Sequence, residues 1–479
     1  MGRTPLSIAA PTRGMQQLAT PRRAHLVGIA GCGMQSLARV LLDCGCRVTG
    51  SDVSPAGAAW LREAGASVAH DHAADNLPHD AEVVVYSDAV PEDVPERRLA
   101  ARLGLPQLSY PEMLGAMMQE RHGLAVAGTH GKSTTTAMTS AILREAGLDP
   151  TVVVGAAPLG EDTGGRAGRG DVMLVEACEF RRNFLHLSPR SAAILNIEAD
   201  HFDCYTDLFD VESAFREFAD TMPAKGYLAI NADHASTRRL AHDLPCRSEA
   251  FGLSAGADWR AVAVHPQAGH YAFRIERYAR ELCEVQLAVP GSHQIHNALA
   301  AAALAWSAGA RAEAIERGLA SFRGLRRRLE TVDTRGGVTL IDDYAHHPSE
   351  VTAALAAVRE LCPNRKLWCI FQPHQALRTA RLLDELAASL HNADVVAVAE
   401  IYRAREERDA AACISAADVA ARIVAGGRDV LPWHRPADII EHTSAFVRSG
   451  DVVVTLGAGD IRKVCDGIAD RLGRHRAAG

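Results

Sequence analysis

Short apolar runs recur along the whole chain and alternate with stretches of helical character. The runs are AHLVGIA, CRVTGSD, AEVVVYS, LAVAG, DVMLVEA, SAAILNI, YLAIN, VTLIDDY, KLWCIFQ, DVVAVAEIY and DVVVTLGAG. Most are continuous rather than alternating, as expected of parallel strands covered on both faces. Several end in Gly, Asp, Glu, Asn or Ser, at the strand end where open α/β sheets hold ligands. The pattern predicts an α/β protein with several doubly wound sheets. Breaks near Arg121 and Arg326–Arg328 divide it into residues 23–121, 122–327 and 328–479, after a loose tail over residues 1–22. No internal repeat is evident.

The chain's 479 residues suit about three domains. With 48% hydrophobic and 23% charged residues, each can bury a core. A net charge of −7 argues against a nucleic-acid binder that works by charge neutralisation. Anionic substrates must therefore be held by local sites. The eleven cysteines form no CxxC pair, and Cys44-Gly-Cys46 has nothing nearby to complete a metal site. Reduced thiols in a cytoplasmic protein are expected. The first 22 residues lack the apolar core of a signal peptide. The longest apolar run, Ala298–Trp306, is too short to span a bilayer.

Two glycine loops stand in series. The first follows HLVGIA as Gly31-Cys32-Gly33, precedes a helix-like MQSLARVLLDCG, and is followed by a strand ending at Asp52. Glycines let such a turn close, and the helix start offers free N–H groups to a diphosphate. An acid about twenty residues on suits a ribose. The GxGxxG pattern is broken, with Ala30 at its middle position. A glycine turn that only packs helix on strand fits equally well, and a nicotinamide oxidoreductase is the rival reading.

The second loop is stronger. Gly128-Thr129-His130-Gly131-Lys132-Ser133-Thr134 follows LAVAG and opens the helix-like TTTAMTSAILREAG. Backbone N–H groups there cradle phosphates, Lys132 reaches the β and γ oxygens, and Ser133 suits Mg2+. Val126 stands where an ordinary loop has its first glycine, so this is a shortened form. Glu176 ends one strand, and Asp200, His201 and Asp203 follow another. Glu176 and His201, beside Ser133, are the expected metal ligands; Asp203 is not.

GTHGKSTTT, NIEADH, PGSHQIHNALAAA, DDYAHHPSEV, FQPHQALRT and LGAGDI resemble the Mur ligase family over nearly the whole chain after the tail. The resemblance implies a Rossmann-like UDP-binding domain, a central P-loop ATPase-like parallel sheet and a C-terminal Rossmann-like domain. It implies ATP and Mg2+, and the ligation of L-alanine to UDP-N-acetylmuramate through an acyl phosphate in peptidoglycan precursor synthesis. The protein would be a cytoplasmic monomer or homodimer, off the membrane and away from nucleic acid. By position, Gly31, Cys32, Gly33, Ser51, Asp52, His72 and Ser87 would surround UDP. ATP would lie on Gly128, Thr129, His130, Gly131, Lys132, Ser133 and Thr134, with His293 and Asn297 near the adenine and Asp343 near the ribose. Tyr344, His346 and Arg378 would line the alanine side, where His346 and Arg378 would orient the amino acid and help take up its proton.

Departures from the family pattern bear on the acceptor. Cys178 and Phe180 replace polar residues, Gln294 replaces Asn, and Gln375 stands where many relatives have Arg, leaving Arg378 as the cation for an amino-acid carboxylate. Sister ligases carry a carbamoylated lysine, but no lysine lies between His201 and Lys225, as expected of the alanine-adding member. A tripeptide-recycling ligase shares every motif, and a non-catalytic nucleotide-binding regulator is the third rival.

Overall fold

The computed structural model describes residues 20–404, 406 and 414–477. Most of the expected tail lies outside the described residues, and the strand Arg23–Val27 begins just after it. Each of the eleven apolar runs contains a strand.

The first sheet has the order Ser67–Ala69, Arg47–Ser51, Arg23–Val27, Val83–Tyr86, Gln107–Ser109, all parallel. Strand order reverses on either side of Arg23–Val27, which opens a crevice at the carboxyl ends. Val27 is in register with both Ser51 and Tyr86. The chain therefore leaves the sheet at Gly28, Asp52 and Ser87 side by side. The helix Cys32–Asp43 follows the glycine loop. It docks on the next sheet through Ser36, whose hydroxyl donates to the Val154 carbonyl at 2.7 Å.

The second sheet has nine strands. From its centre, His122–Ala127 is flanked by Ser191–Ile194 and Val172–Ala177, all parallel. Thr151–Val153 closes one edge, and Tyr227–Asn231, Arg247–Gly252 and Trp259–Gln267 continue the other. The last strands, His270–Arg277 and Arg280–Gln286, pair antiparallel. They escaped the sequence pattern because their residues alternate buried and half-buried, as on a sheet with one wet face. The apolar run at Ala298 lies in the helix His293–Ser307, where Ala300, Ala301, Ala302 and Ala303 are fully buried. Small side chains on all faces let this helix pack closely beneath the sheet. Among the described residues, no helix is long and apolar enough to cross a membrane.

The third sheet has the order Glu330–Arg335, Val338–Asp343, Val452–Leu456, Leu367–Phe371, Val395–Val398, Val430–Leu431. Only its first pairing is antiparallel. Asp343, Leu456 and Phe371 share one register, so Tyr344, Gly457 and Gln372 emerge together.

Candidate active site

In the first crevice the loop is held by Asp52. Its carboxylate accepts from the backbone N–H of Ala30 and of Ser54, each at 2.9 Å. Asp52 thus shapes the glycine turn. Ser51 lies 2.9 Å from His72 Nδ1. His72 also meets Glu96 at 3.2 Å, and Glu96 meets His25 at 3.3 Å. Burial raises the Glu96 carboxyl, but hydrogen bonds from His25 and Ser51 and the two imidazoles hold it below the usual range. Ser87 joins the crevice through its N–H, which donates to the Val27 carbonyl.

Gly33 packs against Tyr110: a Cβ on Gly33 would lie 2.8 Å from a ring carbon. At Gly31 the nearest atom would be 3.5 Å away. Gly33→Ala is therefore expected to destabilise by roughly 1–3 kcal/mol, the usual range for overpacking. Gly31→Ala should shift the denaturation midpoint less. Equal shifts in the two variants would contradict the assignment.

The second loop is pinned by Asn196. Its side chain accepts from the His130 N–H at 2.7 Å and donates to the His130 carbonyl at 3.1 Å. Thr129 accepts the Glu198 N–H on its hydroxyl at 2.9 Å. Gly128 and Gly131 have φ of 144° and 82°. Gly131 caps the helix Lys132–Glu145, and a Cβ there would lie 2.6 Å from Asn297 Oδ1. Thr134 is buried in the first turn of that helix.

Lys132 turns back onto its loop, donating to the Gly128 carbonyl at 2.5 Å and to Glu179 Oε2 at 2.8 Å. Burial lowers the lysine's pKa, but Glu179 more than offsets this and the net shift is upward. Glu179 is fully buried and also lies 3.4 Å from His201 Nε2. Ser133 donates to Glu176 Oε1 at 2.9 Å, and the Gly155 N–H donates to Glu176 Oε2 at 2.9 Å. The expected metal ligands thus fall into two pairings, Ser133 with Glu176 and His201 with Glu179. Glu179 was missed in the sequence, although it stands in the same VEACEF stretch as Glu176.

Two cavities meet around this loop. One, of about 350 Å3, is lined by His130, Gly131, Thr134, His293, Asn297 and Asp343 among others. Gln294 links His293 and Asn297 at 3.0 and 2.9 Å, a bridge the replaced Asn would be too short to copy in the same pose. Burial pushes His293 down to about 4. Asp343 accepts the N–H groups of Leu329 and Ala345 at 2.6 and 2.7 Å, and burial raises it to about 6 against the pull of Arg328. The other cavity, of about 320 Å3, is lined by Cys32, Ser133, Glu176, Arg327, Arg328 and Tyr344 among others. All three sheets contribute to it, and Arg328 lines both cavities.

On the third sheet, His346 Nδ1 lies 3.0 Å from the Tyr344 carbonyl. Burial pushes His346 down to about 4, which weakens it as the proton acceptor the sequence suggested. Arg378 is 3% exposed, with Nε 2.6 Å from Asp200 Oδ1 and a terminal nitrogen 2.8 Å from His374 Nδ1. It is a tie between segments before it is a free cation. Gln375 is buried with φ 66°, and the Glu406 carboxylate caps the helix Ala376–Arg381 just beyond it.

Three family models match in sequence order: Mur ligase family, catalytic domain over residues 23–122, Mur ligase middle domain over 126–305, and Mur ligase, glutamate ligase domain over 327–459. UDP-N-acetylmuramate–L-alanine ligase from Salinibacter ruber is 37% identical over 466 residues, covering 97% of this chain and 98% of its own. The chain belongs to the Mur ligase family. Solved structures agree. This Mur ligase superposes on UDP-N-acetylmuramate-alanine ligase from Thermotoga maritima with TM-score 0.78 and 26% identity, covering 95% of this chain and 100% of that one. It superposes on a murein peptide ligase from Psychrobacter arcticus with TM-score 0.71 and 25% identity, covering 95% and 99%.

Proposed function

We propose that this Mur ligase couples cleavage of ATP to ADP and phosphate with ligation of L-alanine to the carboxylate of UDP-N-acetylmuramate. The observation that carries this is the cavity where Cys32, Ser133 with Glu176, and Tyr344 with Arg328 meet, in a chain 37% identical to an enzyme of that name. Residues 23–121, 122–327 and 328–479 would bring UDP-N-acetylmuramate, ATP and alanine in that order.

A carboxylate is a poor acyl donor because oxide is a poor leaving group. Its oxygen attacks the γ-phosphorus in line, the bond to the β-phosphate oxygen breaks, and ADP leaves an acyl phosphate. The neutral amine of alanine then attacks the acyl carbon, and phosphate departs with the carbon–oxygen electron pair. Lys132 places fixed positive charge where the phosphoryl charge develops. Backbone N–H groups from Gly131 onward face the phosphates. Tyr344, His346 and Arg378 line the acceptor side. His346, pushed down to about 4 by burial, is a weak base, so its part is to orient the amine rather than to take up its proton. The hydroxyl of Ser133 beside the Glu176 carboxylate is a hard oxygen pair that suits Mg2+. Ser133 and Glu176 would hold the ion, which when bound supplies positive charge to the phosphate oxygens, and His201 beside Glu179 would serve the second pairing.

His201→Ala is expected to raise the Mg2+ concentration needed for half-maximal phosphate release while ATP binding persists. If His201 only packs against Phe180, the folded variant will show a lower melting temperature and unaltered Mg2+ dependence.

The similarity to a murein peptide ligase favours a second reading, with a tripeptide as acceptor. A panel of alanine, glycine, L-serine and an alanine-led tripeptide, compared by kcat/KM, separates the two. Free alanine should lead, with glycine and serine slow rather than inert, since one methylene is worth only ~1–3 kcal/mol of discrimination. A preferred tripeptide would replace the biosynthetic assignment with a recycling one.

A further inference from the structure

The structure assigns a site for one Zn2+-class ion to His130, Glu198 and His347, separate from the Ser133–Glu176 pair. One ligand atom from each residue lies within 4.8 Å of the others. His130 Nε2 and His347 Nδ1 each stand 3.5 Å from Glu198 Oε2. Zinc–ligand bonds of roughly 2.0–2.1 Å in a tetrahedron place neighbouring donors about 3.3 Å apart. The cluster is therefore near binding size with small side-chain adjustment.

Both imidazoles are oriented as ligands by their far nitrogens. His130 Nδ1 lies 3.1 Å from Glu350 Oε1, and its Nε2 is buried with no hydrogen-bond partner. His347 Nε2 lies 3.3 Å from the Ala199 carbonyl, while its Nδ1 takes only a long contact of 3.4 Å from the Ser349 N–H. Against the effect of burial, Glu350 and Glu198 favour the protonated His130 ring and hold its pKa up to about 10, so an ion at Nε2 would take the place of that proton, and at His347 it would take the place of the Ser349 N–H. A carboxylate or carbonyl behind each ligating histidine is the arrangement that fixes its tautomer and raises its basicity. Ser349 donates to Glu198 at 2.5 Å and steadies the third ligand.

Two imidazoles and one carboxylate select zinc or cobalt over Mg2+, which prefers oxygen ligands and keeps its waters. His130 sits in the nucleotide loop and Glu198 after the strand Ser191–Ile194, whereas His347 and Glu350 belong to the third segment. A bound ion would join the middle and C-terminal segments beside the cavity of about 350 Å3 that His130 and Glu198 line.

The test is calorimetric titration of the full chain with ZnCl2 in saturating Mg2+, paired with the visible spectrum of the Co2+ form. The expected result is one ion per chain, undisturbed by Mg2+, with a nitrogen- and oxygen-ligated cobalt spectrum. Glu198→Gln should abolish binding. Glu350→Gln should weaken it about 10–100-fold, the usual effect of removing a carboxylate behind a ligating histidine. The exposed His265→Asn should change nothing. If Glu198→Gln fails to fold, loss of the cobalt spectrum in His347→Gln serves in its place. Absence of stoichiometric binding, binding unaltered in these variants, displacement by Mg2+, or a sulfur-to-cobalt charge-transfer band would each overturn the assignment.

Discussion

Lys132→Ala is expected to slow alanine-dependent phosphate release by roughly 10²–10³-fold or more, the scale of losing one oriented transition-state donor. The structure adds a second consequence. Lys132 is the near cation of Glu179, which is fully buried and 2.8 Å from the ammonium. Removing the lysine strands that carboxylate, and breaking a buried pair costs about 3–5 kcal/mol. The double variant Lys132→Ala with Glu179→Gln should recover much of the lost stability but none of the lost rate. Binding of UDP-N-acetylmuramate, measured by calorimetry, should survive in the folded double variant because the first crevice lies on another sheet. Near-normal turnover in either variant would remove Lys132 from the phosphoryl site.

Arg378→Ala should be the most destabilising change on the third sheet. Arg378 and Asp200 are 3% and 6% exposed and pair at 2.6 Å, and Asp200 also accepts the His201 N–H at 2.7 Å. A loss of about 3–5 kcal/mol is expected on leaving Asp200 unpaired. Displacement of His201 should follow, with a fall in kcat as well as a raised KM for alanine. Burial raises the Asp200 carboxyl, but Arg378 and the neighbouring histidines hold it well below its ordinary range. A group depressed in the folded state stabilises above its unfolded pKa, so the pair's contribution is present above about pH 4 and is lost as pH falls below it. Unfolding of wild type and Arg378→Ala across that range should converge at the acid end. Arg378→Lys keeps the charge but cannot reach Asp200 and His374 together, so it should lie between the two. A raised alanine KM with no loss of stability would instead make Arg378 a free carboxylate clamp, as the sequence suggested.

The eleven strands marked by apolar runs, both glycine loops and the helices behind them were legible because each is written in neighbouring residues, whereas short strands such as Ser67–Ala69 and Thr151–Val153 carry too few residues to show a pattern. Register then carried much of the site, since Gly28, Asp52 and Ser87 emerge together once Val27 pairs with Ser51 and Tyr86. What the sequence hid is pairing at long separation. Arg378 and Asp200 are 178 residues apart, and Lys132 and Glu179 are 47 apart. No local pattern says that Arg378 is already engaged, that Tyr110 fills the space over Gly33, or that Glu350 stands behind His130. Burial hid the weak basicity of His346, which reads as a proton acceptor by residue type and is pushed down to about 4 in the fold. The antiparallel strands after Arg247–Gly252 were missed for a different reason: their half-wet faces break the apolar runs that marked the rest.

The most direct measurement follows phosphate release together with incorporation of labelled L-alanine into the UDP-sugar, with each substrate omitted in turn. The account predicts one phosphate released per alanine incorporated, and neither product when ATP, UDP-N-acetylmuramate or L-alanine is left out. Phosphate release without incorporation, or incorporation of a tripeptide in preference to alanine, would contradict it.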